Sequence, residues 1–244
     1  MAGTAISRRQ VLAASLLAGT SLAVSAAFAR TIGREIPWTP GSAPALRGFD
    51  GARFLTDAER RCLDALTARL IPSDDTGPGA REAGVVDFID NQLAGFYGRG
   101  ERWYMQGPFR DGTSTQGYQG EHAPAALYRA AIDALDAHCR DRFDGRVFAE
   151  LPEDEQDALL KRIEDEELEF EGVSATAFFA LVQENTIEGF FCDPIYGGNR
   201  DMVGWKLVGF PGVRYDYRDH LDHNGAHISI EPVGLSGRPA WNVD

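Results

Sequence analysis

"SATAFFALVQENTIEGFF", Ser174–Phe191, decides how the rest of the chain is read. Phe178, Phe179, Leu181, Val182, Ile187, Phe190 and Phe191 make it the most apolar stretch with helical character in the sequence. A helix with apolar side chains on most of its surface is one that other elements cover. It is therefore expected at the centre of the fold.

Four further helices are read outward from it. Thr56-Asp57-Ala58-Glu59 has the form of a capping box, with Thr56 as N-cap and Glu59 three residues on. Leu63, Leu66 and Leu70 follow at helical spacing until Pro72 stops the run. Ser73 to Ala80, with Asp74, Asp75, Gly77, Pro78 and Gly79, reads as a loop. A second helix is predicted over about 82–97, with Val85, Phe88, Ile89, Leu93 and Phe96 as its apolar stripe. Pro124 opens a third, reaching about Phe143, along which Leu127, Ala131, Leu135 and Cys139 step by four. Pro152 starts a fourth with Leu159, Leu160 and Ile163 inside, while the acid run Glu164 to Glu167 forms a solvated face.

Between the second and third helices, residues 98–122 show no sustained period and contain Gly98, Gly100, Gly107, Gly112, Gly117 and Gly120. A loop of this length is commonly functional or partner-facing, and Trp103, Tyr104, Phe109 and Tyr118 set it apart from a plain disordered linker. Residues 213–244 look extended, with too little apolar content for a domain of their own, and read as a tail that orders on a partner. The fold class is all-α: a single domain of about five helices over 55–212, with long irregular loops, an extended N-terminal arm over 30–54 and the C-terminal tail.

The first 29 residues read as an export signal. Ser7-Arg8-Arg9-Gln10-Val11-Leu12 follows the twin-arginine pattern, and Ala27-Phe28-Ala29 has the form of a cleavage site. The apolar run between them is short for a membrane span and interrupted by Ser15, Gly19, Thr20, Ser21 and Ser25. Cleavage after Ala29 would leave 215 residues with 22 basic against 37 acidic side chains, a net charge of −15. Such a chain should repel nucleic acid and anionic lipid. The expected location is the periplasm, with any membrane association made through a partner. The twin-arginine route carries folded cargo, which raises the question of what this chain must fold with before it leaves.

Its own residues offer little chemistry. There is no C-x-x-C-H or C-x-x-C, so c-type haem and the usual zinc and iron–sulfur spacings are missing. Of Cys62, Cys139 and Cys192, two could pair in an oxidising compartment and leave one thiol over. No G-x-S-x-G surrounds Ser174 or Ser229, and Gly197-Gly198 fits neither phosphate-binding glycine pattern. His220, Asp222, His223 and His227 make a possible metal set in the tail, which supports an alternative reading as a stand-alone periplasmic metal-binding or scaffold protein. No catalytic, cofactor-binding or metal residue is assigned.

The most unusual stretch is Glu188–Gly212, "EGFFCDPIYGGNRDMVGWKLVGFPG", where glycines, prolines and aromatics crowd together. It either caps the core with Trp205 and Tyr196 or presents a rigid aromatic docking surface, for which Phe191, Asp193, Tyr196, Asn199, Trp205 and Phe210 are the candidates.

Within it, Asp193-Pro194-Ile195-Tyr196-Gly197-Gly198-Asn199, then Gly204-Trp205 and Gly209-Phe210-Pro211-Gly212, resembles the signature of the gluconate 2-dehydrogenase subunit 3 family. Leu70-Ile71-Pro72 through Val85-Val86-Asp87-Phe88-Ile89 resembles that family's N-terminal part. The resemblance implies a non-catalytic small subunit. Its partner would be a large flavoprotein dehydrogenase of the glucose–methanol–choline type that binds FAD and oxidises a sugar or sugar acid, as in gluconate 2-dehydrogenase and glucoside 3-dehydrogenase. A cytochrome c subunit carrying haem c often takes the electrons. The large subunit commonly lacks a signal and leaves with the small one, which would answer the question of the folded cargo.

Overall fold

The computed structural model describes residues 54–110, 112–113, 115–213, 217–218, 221–222, 225–226 and 230–237, all within the compact unit Ser42–Asp244. Arg8, Arg9, the arm up to residue 53, and His220, His223 and His227 lie outside the described residues.

Six α-helices appear among the described residues: α1 (Asp57–Leu70), α2 (Val85–Ala94), α3 (Pro124–Arg142), α4 (Glu153–Glu164), α5 (Ala175–Phe191) and α6 (Val203–Val208). The only β-type pairings described are isolated bridges. The fold is all-α, as its periodicities predict. The most apolar helix is also the central one: α5 packs against each of the other five. Its Phe178, Val182 and Phe190 are buried together with Leu63 and Leu66 of α1, Ile89 of α2, and the Leu127, Ala131, Leu135 and Cys139 face of α3.

α1 starts where its capping box is placed. The Glu59 N–H donates to the Thr56 hydroxyl at 3.3 Å and the Thr56 N–H donates to the Glu59 carboxylate at 2.6 Å. Arg129 of α3 also donates to Glu59 at 2.9 Å and lies over the Phe54 ring, 4.3 Å from its centroid. Burial alone would raise the Glu59 pKa, but the Thr56 N–H, the Arg129 guanidinium and the Thr56 hydroxyl together hold it below the ordinary value. A carboxyl with a lowered folded-state pKa contributes stability above its unfolded-state value, and that contribution is lost as pH falls through the folded-state value. The stability difference between wild type and Glu59→Gln is therefore expected to be largest near neutral pH and to shrink below about pH 4, as measured by urea unfolding at a series of pH values.

α2 is shorter than its apolar spacing predicts. Gly84, with φ +71°, sets a left-handed residue before Val85, and the helix stops at Ala94. Phe96 therefore lies beyond the helix end and is 46% exposed rather than part of the buried stripe. α4 begins after Pro152, and Glu164 to Glu167 are exposed, with Lys161 bridging Glu164 and Asp165 at 3.0 and 2.9 Å. α6 lies in the glycine-rich stretch, where no helical period is visible over so few residues.

One buried polar hub interrupts the apolar packing. The Asn185 Oδ1 atom of α5 accepts from the Tyr128 hydroxyl at 2.9 Å and the Tyr97 hydroxyl at 3.1 Å, and its Nδ2 donates to Glu188 Oε2 at 3.1 Å. Burial pushes the Tyr97 phenol up to about 12, with the charges of Glu188 and Glu184 adding to the effect. Tyr97, Trp103 and Tyr118 stack in sequence, with centroids 6.1 and 5.4 Å apart, and so tie the long loop to the helices.

Candidate functional site

The two stretches that resemble the same family pattern meet in space. Asp87 of α2 accepts from Arg200 Nη2 at 2.9 Å on one oxygen and pairs with Arg60 through the other. The Arg200 N–H donates to the Ala83 carbonyl at 2.9 Å. A Cβ on Gly189 would stand 2.9 Å from the Phe88 ring. Arg60 also reaches the buried Asp90 at 3.3 Å, whose Oδ1 accepts from the Phe54 and Leu55 N–H groups at 2.9 and 2.8 Å. The point where the chain enters the domain is thus linked by ion pairs to the glycine-rich segment.

That segment divides the six docking candidates into two groups of three. Asp193, Asn199 and Trp205 are buried. Asp193 accepts from the Ile195 N–H at 3.0 Å and the Leu235 N–H at 2.7 Å, so it joins the turn over Pro194–Tyr196 to the C-terminal segment. Asn199 adopts φ +46°. Its Nδ2 donates to the Cys192 carbonyl at 2.8 Å, and its Oδ1 accepts from the Gly204 N–H at 2.9 Å. Asp201 and Met202 follow with φ of +56° and +55°, a run of left-handed residues that only a tightly determined turn sustains. Trp205 is 5% exposed and donates from its ring nitrogen to the Phe191 carbonyl at 2.7 Å.

The glycines serve close approach within the chain. A Cβ on Gly198 would stand 2.1 Å from the Gly189 carbonyl oxygen, and one on Gly204 would stand 2.1 Å from that of Phe190. The segment therefore lies backbone to backbone against the end of α5.

Phe191, Tyr196 and Phe210 remain at the surface. Phe210 meets the edge of Trp205 with ring centroids 5.2 Å apart and stands near the exposed Leu207 and Val208. Phe191 and Tyr196, 37% and 50% exposed, enter a groove of about 480 Å³ with Phe88, Gln92, Phe96 and Tyr97. Glu188 and Cys192 complete its wall. A second, polar-edged cleft of about 670 Å³ lies between the 98–122 loop and α5, lined in part by Trp103, Tyr104, Phe109, Tyr118, Leu181 and Glu184. Sequence reasoning missed the contribution of Gln92, Phe96, Tyr97 and Glu188. The spacing of Phe88, Gln92 and Phe96 by four was the available signal, but it was absorbed into the expected core face.

The C-terminal stretch partly returns to its own domain. Val233 is buried, bridges Gly212, and accepts from the Val213 N–H at 2.8 Å. A tail reserved wholly for a partner is thus not what residues 230–237 show.

The three cysteines are free thiols in this structure, so the pairing that the sequence left open is not made here. Burial raises Cys62 well above its ordinary pKa, Cys139 to about 12 and Cys192 to about 11, which keeps all three protonated at neutral pH. Ser174 caps α5 by accepting from the Ala177 N–H at 3.1 Å. Among the described residues no group of three or more His, Cys, Asp or Glu side chains could hold a metal ion, and no helix is long and apolar enough to cross a membrane.

Fold and surface together define a small all-α domain whose glycine-rich segment braces an aromatic groove. The chain belongs to the gluconate 2-dehydrogenase subunit 3 family, whose model matches residues 57–212. No match was found among curated proteins or among solved structures. The matched span opens at the first residue of α1 and ends at Gly212, so it takes in both stretches that meet at Asp87 and Arg200.

Proposed function

We propose that this chain is the non-catalytic small subunit of an exported, FAD-dependent sugar or sugar-acid dehydrogenase, of the gluconate 2-dehydrogenase or glucoside 3-dehydrogenase type. It binds a large glucose–methanol–choline-type flavoprotein, stabilises it, and carries it to the periplasm by the twin-arginine route. FAD belongs to that partner, and a cytochrome c subunit with haem c receives the electrons. The observation that carries this reading is membership of a family named for a dehydrogenase subunit, over the whole helical domain. The exposed aromatic side chains at Phe96, Phe191, Tyr196 and Phe210 support a docking role, because Tyr, Trp and Phe anchor interfaces.

The test is affinity purification of the tagged chain from its native host, followed by an absorbance spectrum and intact masses of the eluate. Co-elution of a larger chain with a flavin spectrum is expected. A lone colourless chain would overturn the reading.

A further inference from the structure

We propose that the groove between the C-terminal ends of α2 and α5 receives an arginine-bearing, apolar-flanked segment of the partner polypeptide, with Glu188 facing the guanidinium. This rests on the reading of the chain as the small subunit of a complex, and adds to it a surface and the chemistry of what fills it.

The groove is apolar in body and acidic at one point. Phe96, Phe191 and Tyr196 expose large ring surfaces around it, and its single charged wall residue is Glu188. Glu188 is exposed and its Oε2 accepts from Asn185, and among the described residues neither Glu188 nor Glu184 is ion-paired. Nearby carboxylates are paired: Asp87 and Asp90 with Arg60, and Glu101 with Arg99. The described cation that stacks at the groove's rim, Arg102, lies over the Phe96 ring, 4.6 Å from its centroid, and makes no pair with Glu188.

The chain shows elsewhere what completes such a set. At the start of α1 an aromatic ring and a glutamate hold an arginine between them: Arg129 stacks on Phe54 and donates to Glu59 at 2.9 Å. The groove presents the same ring and carboxylate types: Phe96 already carries Arg102, but among the described residues no cation stacks on Phe191 or Tyr196 and none pairs with Glu188. A guanidinium suits it better than an ammonium, because its flat face stacks on a ring while its edge meets a carboxylate.

The groove also has a direction. Tyr97 lines it, and the aromatic chain from Tyr97 through Trp103 to Tyr118 leads to the second cleft, which Leu181 and Glu184 of α5 help to line. Glu184 and Glu188 stand four residues apart on one helix, about 5–6 Å between Cβ atoms. A segment lying along α5 would thus meet two carboxylates in succession, with apolar side chains fitting between Phe96, Phe191 and Tyr196.

The purified complex provides the test, with a photo-crosslinking residue in place of Gln92 and, separately, the variants Glu188→Gln and Glu188→Lys. The crosslinked peptide is expected to come from the flavoprotein and to contain an arginine beside apolar residues. Glu188→Gln is expected to speed release of the flavoprotein at least about tenfold, and Glu188→Lys to abolish co-elution. Helix content by circular dichroism should not change, and the exposed control Glu171→Gln should behave as wild type. A crosslink to a second copy of this chain, a flavoprotein peptide without a basic residue, or wild-type retention by both Glu188 variants overturns the proposal. If the wild-type chain itself elutes without a flavoprotein, the subunit reading has failed and this proposal falls with it. If the wild type retains the flavoprotein and the Glu188 variants do too, only the groove assignment has failed.

Discussion

Trp205→Ala is expected to lower the unfolding free energy by about 3–5 kcal/mol, the usual cost of removing a large buried aromatic side chain. The ring is 5% exposed and packs edge-on against Phe210, and its N–H donates to the Phe191 carbonyl at the end of α5. Truncation would open a cavity and leave that carbonyl without its indole partner, while the neighbouring Gly204 backbone is already pressed against Phe190. Urea unfolding of the purified chain, followed by circular dichroism, measures the effect. By contrast Phe210→Ala, at an exposed position, should cost much less stability and act chiefly on partner retention. Unchanged stability in Trp205→Ala together with loss of the partner would make Trp205 a docking residue instead.

The second large effect is on location. Arg8→Lys combined with Arg9→Lys is expected to reduce exported dehydrogenase activity to background while the activity accumulates in the cytoplasm. Lysine keeps the positive charge but not the planar guanidinium, so the loss would separate recognition of the arginine pair from a general need for basic residues. Because the proposal gives the flavoprotein no export route of its own, both chains should be stranded together. Fractionated cells assayed for activity and for both polypeptides decide it, and exported activity at wild-type level would sink the escort role while leaving the docking role standing.

Much of this architecture was legible in the sequence because helices advertise themselves by period. The capping box at Thr56 and Glu59, the step of four from Leu127 to Cys139 and the dense apolar run of α5 each depend on neighbours a few residues away. The end of α2 was misplaced because the Phe88, Gln92, Phe96 spacing continues past the residue where the helix stops, and Gly95 is the sole local mark of the break. Which side of the 188–212 segment faces solvent was not legible. Asp193 is held by the Leu235 N–H, 42 residues away, and Asn199 by Cys192 and Gly204 within a turn of left-handed residues, and composition records neither pairing. The same holds for the aromatic groove, whose walls come from α2, the residues just after it, α5, Cys192 and the turn at Tyr196.

The central place of α5 also sets the order in which the molecule can be completed. Synthesis proceeds from the N-terminus, so α1 to α4 leave the ribosome before the helix against which all four pack. Their apolar faces meet one another, with α1 touching α2, α3 and α4, but the surface that all four share is missing until Phe191 has been made. The glycine-rich segment gains its last brace only when Asp193 meets the Leu235 N–H, 42 residues further along the chain. The core is therefore expected to be completed late in synthesis, once α5 has been made. A ribosome stalled before α5 would release helices that can touch one another but lack Phe178, Val182 and Phe190, the side chains that join them at the centre.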